Sequence, residues 1–333
     1  METKSSSYFG MVDVLRLVFA IGVAAIHTMA FQSVNENMRI ATSMGGARLA
    51  VPFFFIVSGY FLYNRINSEK EPKATLKRLL ILYLTWVVIE FITLLPMVLT
   101  NFNLPILFLI KRLLLVGVTG SLWYISSLII TIFVISPLLK RDKIIPLLII
   151  GAILYLFGTT GDTYYGFFEN TMVSSLNSAY VSIFMMPQVG ITEAVLFVTL
   201  GAVVNKYKLN EKIKNSGVLC IISITLLLLE TFVLNKTGIA KDANMYLSAI
   251  IAAPLIFIWA LNYNKNISTK FSKACREYSL GIYCSHQIIM INIAIFIPFL
   301  YANSLVRYLC TVIISALIIA GIRKTKAKNY LLK

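Results

Sequence analysis

Apolar residues in this chain fall into long runs, separated by short polar segments that carry most of the charge. Four of the runs are VLRLVFAIGVAAIHTMAF (14–31), LLILYLTWVVIEFITLLPMVL (79–99), SLWYISSLIITIFVISPLL (121–139) and GVLCIISITLLLLETFVL (217–234). Each is close to the ~20 residues that a helix needs to cross a bilayer core. The ~10-residue alternating segments of a membrane barrel are absent from the pattern. The expectation is an all-α fold, a polytopic transmembrane helical bundle forming a single integral membrane domain over 1–333. Ten spans are expected, at 11–31, 46–63, 79–98, 121–139, 144–160, 185–204, 216–234, 243–261, 279–299 and 304–322. The apolar piece Leu104–Gly117 carries Lys111 and Arg112 at its centre. Two cations at mid-bilayer would cost about 2.5–3.5 kcal/mol each, so this piece is expected to lie on the membrane surface. Gly161–Ala179, with Asp162, Glu169 and several aromatics and serines, is expected to be a loop or a re-entrant segment.

Composition agrees. Of 333 residues, 58% are hydrophobic and only 13% charged, against about a quarter charged in soluble domains. The net charge of +16 tests the topology. With the N-terminus inside, inner segments 1–10, 64–78, 140–143, 205–215, 262–278 and 323–333 hold 22 of the 30 lysines and arginines. That is the positive-inside distribution, with both termini cytoplasmic. The basic residues are spread over six segments with no DNA-binding motif beside them, so topology accounts for the charge and no nucleic-acid partner is expected. The first run lacks the short apolar core and small-residue site of a cleaved signal peptide. The segments between spans are too short for a soluble core. The four cysteines are isolated, and two histidines in all offer no metal site. No Walker A sequence or nucleophile elbow is present.

Ionisable residues within spans are costly and usually functional. Here they are Asp13, Arg16, His27, Glu90, Glu193, Glu230 and His286. Eleven residues turn a helix through about three turns plus ~20°, so Arg16 and His27 share a face, ~16 Å apart along the axis. Asp13, three residues before Arg16, can pair with it. The alternative readings are an Arg16 that snorkels to the headgroups and a neutral His27 that bonds a neighbouring helix. In VPFFFIVSGYFL (51–62), Ser58 and Gly59, followed by Tyr60, let a helix or a ligand approach the backbone closely.

Taken together, these residues resemble the membrane acyltransferase-3 family. Arg16, ten intervening residues and His27 match its R-x10-H signature. FFFIVSGYFL (53–62) resembles the family's aromatic second span, SLWYISSLI (121–129, with Trp123) its Leu-Trp-aromatic fourth span, FVTLGAVV (197–204) its Phe-x3-Gly segment, and EYSLGIYCSHQII (277–289) its Tyr-Ser-x2-Ile-Tyr-x2-His segment. The resemblance covers essentially the whole chain. It implies a multi-pass enzyme of the cell membrane that transfers an acyl group, usually acetyl. The donor would be cytoplasmic acetyl-CoA, and the acceptor a hydroxyl of an extracytoplasmic or lipid-linked glycan or other envelope component. It also implies essential roles for Arg16 and His27. The family's RxxR-type motif at the start of span three is incomplete here: Arg78 fits the first position and Ile81 occupies the second. Lys73 and Lys77 add positive charge beside it but lack the bidentate geometry of arginine.

Elementary chemistry fits the same picture. CoA is a polyanion, and Arg16, Lys73, Lys77 and Arg78 cluster at the expected inner mouth. A thioester is already activated, so the enzyme needs chiefly a base and a dry, oriented site. His27 suits the base, or a transient acyl carrier, and Glu193 or Glu90 could orient it as carboxylates do in hydrolase triads. His286 is expected nearer the inner surface, touching CoA or passing on the acyl group. Three alternatives compete: a transporter or flippase, the serine-handling membrane part of a vancomycin-resistance serine racemase, whose membrane segment the chain also resembles, and a structural subunit.

Overall fold

The computed structural model describes residues 9–95, 105–263 and 265–332. The described residues are all-helical, without a strand among them. Ten principal helices follow the apolar runs: α1 (Gly10–His27), α2 (Ala50–Asn67), α3 (Lys73–Thr93), α4 (Trp123–Lys140), α5 (Ile144–Thr160), α6 (Ala194–Lys206), α7 (Ser216–Lys236), α8 (Ala249–Asn262), α9 (Thr269–Phe296) and α10 (Ser304–Arg323). Six helical stretches are long and apolar enough to cross a membrane: Gly10–His27, Glu36–Asn67, Trp123–Lys140, Ser216–Lys236, Thr269–Phe296 and Ser304–Arg323. Helices α5, α6 and α8 are apolar but shorter.

At the centre, α2 packs most extensively on α6, and α1 on α9. The α2–α6 contact is close because both helices present a glycine. A Cβ on Gly59 would lie 1.9 Å from the Val198 carbonyl oxygen, and one on Gly201 would lie 2.0 Å from that of Ile56. Burying Phe53, Phe55, Ile56 and Val57 completely therefore depends on two missing methyl groups, the small-residue packing expected where helices meet in lipid. The periphery is the reverse. On α7, Val218, Ile221, Ile222, Leu229 and Val233 are exposed, as are Ile313 and Leu317 on α10, leaving an apolar surface that only lipid would cover favourably. The chain is a multi-pass membrane protein.

Several expected boundaries move. The first span was expected to run to residue 31, but α1 stops at His27: Thr28 turns its hydroxyl back to Ala24 O (2.7 Å), and Met29 and Phe31 take positive φ. Arg307 on α10 then donates to Thr28 O from Nε (2.9 Å) and Nη2 (2.6 Å), a cation satisfying a helix C-terminus. Expected span 185–204 is helical only from Ala194, and expected span 243–261 only from Ala249. Residues 185–193 form turns held by Gly190 N to Ser127 Oγ (2.8 Å) and by Thr192 Oγ1 to Pro187 O. The entry to α8 is held by Glu230, whose carboxylate accepts from Leu247 N (2.7 Å) and Ser248 N (2.8 Å). In both segments, side-chain partners take over backbone groups that a continuous helix would have bonded. The expected loop 161–179 contains the helix Tyr165–Phe168 and the start of the helix Met172–Phe184.

The expected surface helix is present as Ile106–Leu115 and buries no residue; Lys111 reaches Ser182 O (2.6 Å) and Arg112 folds back on Val118 O (3.0 Å). Leu104, residues 96–98 of the third expected span, and Lys4 and Lys333 of the inner cation set lie outside the described residues.

Candidate functional site

Arg16 and His27 stand on the same helix, and both meet α9. At the lower end, Arg16 Nη1 pairs with Asp13 Oδ1 (2.8 Å), the i, i+3 pairing its spacing predicts. Asp13 Oδ2 accepts from Ser272 Oγ (2.7 Å) and lies 4.0 Å from Arg276 Nη1, while Ser279 Oγ donates to Arg16 O (2.8 Å). The Arg16 guanidinium lies 6.0 Å from the centre of the Phe61 ring. Arg276 and Tyr124 are near enough to act electrostatically on both Arg16 and Arg78, and Arg65 acts on Arg78. Arg16 and Arg276 thus flank one carboxylate, with Arg78 in electrostatic reach of Arg276 and Arg65 in reach of Arg78, an excess of positive charge suited to a polyanion.

At the upper end, two imidazoles meet. The His27 and His286 rings lie 5.0 Å apart, centre to centre. His286 is fully buried, and its Nδ1 faces Tyr283 O (2.7 Å) and Ile282 O (3.2 Å). Carbonyl oxygens only accept, so Nδ1 carries the proton and Nε2 keeps its lone pair. That Nε2 is buried and has no hydrogen-bond partner, the state that a proton acceptor requires. His27 Nδ1 lies 2.8 Å from Gln287 Nε2. In this amide orientation Gln287 donates to Nδ1 and the His27 proton sits on Nε2; turning the amide presents Oε1 to Nδ1–H and frees Nε2.

Between the two ends runs a file of aromatic rings. Tyr124 packs edge-on against Tyr283 (5.6 Å), and Tyr283 lies 6.2 Å from His286. Phe54 packs against both tyrosines, tilted on Tyr124 (5.7 Å) and edge-on to Tyr283 (6.4 Å). Ser58 Oγ donates to Phe54 O (2.8 Å) and lies 3.2 Å from Tyr124 OH, while Tyr283 OH donates to Ser121 O (2.5 Å). Ser58 and Tyr124 therefore belong to the aromatic file between the ends. Gly59 and Tyr60 do not: Gly59 faces α6, and Tyr60 packs among Phe9, Phe61 and Phe257. Trp123 is buried at the start of α4.

Both carboxylates expected to orient His27 have other surroundings. Glu90, fully buried, accepts from Val118 N (2.7 Å), Thr119 N (3.3 Å) and Thr119 Oγ1 (2.6 Å), and so fixes the loop whose Ser121 holds Tyr283. Glu193 caps no helix bond at the start of α6 and lies near Arg48 and Asp162. The side chain at His27 Nδ1 is instead Gln287, next to a histidine already singled out in the sequence. An uncharged amide among apolar residues gives no composition signal, and only its position beside His286 pointed to it. His286, expected toward the inner surface with CoA, stands beside His27. Arg78, though exposed, lies in electrostatic reach of Arg276; Lys73 is exposed as well, and Lys77 lines a groove with Leu80, Ile129 and Phe133 on the outside of α3 and α4. Arg276, on α9, is brought to the same carboxylate as Arg16 from the far end of the sequence.

A family model described as "Acyltransferase domain" matches residues 10–323. The chain is 27% identical over 336 residues to an "Amino-acid racemase" of Enterococcus faecalis, covering 95% of this chain and 46% of that protein. It is 26% identical over 285 residues to a "Serine/alanine racemase" of Enterococcus gallinarum, covering 83% of this chain and 40% of that protein. The chain therefore spans under half the length of these curated relatives. No solved structure matches it. With the family match running from the first residue of α1 to the last of α10 and taking in both ends of the Arg16–His27 face, the chain belongs to the membrane acyltransferase-3 family.

Proposed function

We propose that this chain moves an acyl group, most simply acetyl, from acyl-CoA to a hydroxyl on a glycan or other envelope component on the far side of the membrane. The single observation carrying this reading is the His27–His286 pair, with rings 5.0 Å apart, and Arg16 at the other end of the helix that bears His27, beside Asp13 and Arg276. Ten membrane-crossing helices, with both termini cytoplasmic, would put the arginine cluster at the cytoplasmic mouth, where CoA is found. Arg16, Arg78 and Arg276 would hold the phosphates, Arg16 itself fixed by Asp13. The pantetheine arm would follow Tyr124, Phe54 and Tyr283 toward the imidazoles. There, an imidazole Nε2 takes the proton of the acceptor hydroxyl, whose oxygen bonds to the thioester carbonyl. The C–S bond then breaks, and the CoA thiolate recovers the proton from the imidazolium. Gln287 positions His27 for this exchange, and the bond to Tyr283 O positions His286.

The test uses purified protein in nanodiscs with acetyl-CoA. Arg16→Ala should weaken CoA binding, and His27→Ala should leave binding intact while stopping thiol release to an added hydroxyl acceptor. Full transfer by His27→Ala protein would sink the assignment. A second reading draws on the names of the relatives: the chain would handle a small amino acid for a racemase. Uptake of labelled serine into proteoliposomes lacking acyl-CoA would favour it.

A further inference from the structure

Beyond the histidine pair, at the His27 end of the bundle, three irregular segments converge. They are the turn after α5 (161–164), the turns before α6 (185–193) and the extended approach to α8 (243–246). Two of these occupy stretches whose hydropathy called for membrane helix. Non-helical backbone at that depth is tolerated where it is buried in protein or lines a cavity. Asn244 ties the segments together: its backbone N–H donates to Asp162 Oδ1 (3.2 Å), and its side-chain oxygen accepts from Arg48 Nη1. Met245 N donates to Thr163 Oγ1 (3.1 Å), and a Cβ on Gly158 would meet both Met245 and Thr192. Glu193 completes the group, near enough to Asp162 and Arg48 to interact with both.

The cluster is unbalanced. Asp162 is fully buried and Glu193 is 1% exposed, yet Oδ2 of the first and Oε2 of the second have no hydrogen-bond partner. One guanidinium, already committed to Asn244 and Ser43 O (3.2 Å), serves two carboxyl groups. Asp242, exposed at the edge and electrostatically in reach of Arg48, adds a third and marks a way in from the surface. Buried polar atoms without partners are rare enough to require an explanation. An ionised carboxyl only accepts, so what the ionised pair lacks is a donor. A primary ammonium brings three donors, no acceptor and the opposing charge.

We propose that Asp162 and Glu193, with Arg48, form a binding site for the ammonium group of an amine-bearing small molecule or headgroup. On the acyl-transfer reading this is where an amino-alcohol or amino-sugar acceptor would be held, with its hydroxyl toward His27. The site's existence does not depend on that reading, because the assay needs no acyl-CoA. Purified protein in nanodiscs is titrated with three ammonium compounds, L-serine, ethanolamine and D-glucosamine, each against its hydroxyl counterpart, glycerate, ethylene glycol and D-glucose. Thermal stabilisation is the readout. The expected result is stabilisation by at least one ammonium compound and not by its counterpart, with the half-effect concentration raised at least tenfold in Glu193→Gln. The compound that binds names the source: free amino acid, lipid headgroup or amino sugar. Asp162→Asn serves as a second variant if Glu193→Gln fails to fold. Equal stabilisation by counterparts, no stabilisation by any ammonium compound, or unchanged binding in the folded variant overturns the proposal.

Discussion

Gln287 and His27 lie 260 residues apart in sequence and meet side chain to side chain at 2.8 Å. An amide at Nδ1 fixes which way the imidazole faces and which nitrogen can act. Its loss leaves His27 free to rotate and to exchange tautomers. Gln287→Ala should therefore lower kcat on the order of 10–100-fold, less than the ~10²–10⁴-fold that a positioned base itself supplies, with little change in KM for acyl-CoA. Gln287→Glu presents only acceptor oxygens to Nδ1–H and should retain most of the rate. A Glu variant as inactive as the Ala variant would show that Gln287 does not act through the tautomer.

The two histidines should behave as a unit. If proton transfer at the hydroxyl runs through the pair, His27→Ala and His286→Ala each cost on the order of 10²–10⁴-fold. The double variant should then be scarcely worse than either single one, since groups acting together are non-additive. Single-turnover rates with acetyl-CoA measure this. Multiplying losses would mean that the histidines work in separate steps.

The α2–α6 contact sets a stability prediction. Gly201→Ala places a methyl where the Ile56 carbonyl oxygen already stands, at 2.0 Å. Backbone cannot yield as a flexible side chain does, so the cost should reach about 3 kcal/mol or more, the upper end of overpacking effects. Gly321, on α10, meets nothing within 4 Å. Gly321→Ala should be neutral or stabilising by up to about 1 kcal/mol, because it removes unfolded-state freedom from a helix position. Unfolding in mixed detergent micelles compares the two.

Asp162 follows α5 in a turn, and burial pushes its carboxyl up to about 8, against the partly offsetting hydrogen bond from Asn244 and the charge of Arg48. From the ordinary value of 3.8 up to about 8, the folded protein holds a proton there that the unfolded chain has released. Stability from this group is therefore greatest below the ordinary value and falls as pH rises through that window, by up to about 1.4 kcal/mol per unit. Asp162→Asn should flatten the decline between pH 5 and about 8, read from unfolding midpoints across pH. An ammonium ligand, favouring the ionised carboxylate, should flatten it in the wild-type protein too.

Much of this molecule is legible in the order of its residues. Long apolar runs have to find either lipid or one another, so membrane helices and their approximate positions follow from hydropathy alone. The common face of Asp13, Arg16 and His27 follows from the helical repeat, and the Asp13–Arg16 pair is a local, i, i+3 contact. Local periodicity carries no information about which helix lies opposite which. Only packing decided that α9 covers α1, bringing His286 and Gln287 to His27 and Arg276 to Arg16, contacts across more than 250 residues of sequence. The same holds for Glu90, which is turned onto the 118–119 loop, and for Lys77, which lines an outer groove while Arg78 comes within electrostatic reach of Arg276. Hydropathy also cannot see an unwound stretch. Residues 185–193 and 243–248 are apolar enough for helix, yet side-chain and loop hydrogen bonds hold them open. Residue order alone specifies a membrane bundle with a charged first helix. Tertiary structure decided which groups share its polar interior, because burial is set by neighbours and not by composition.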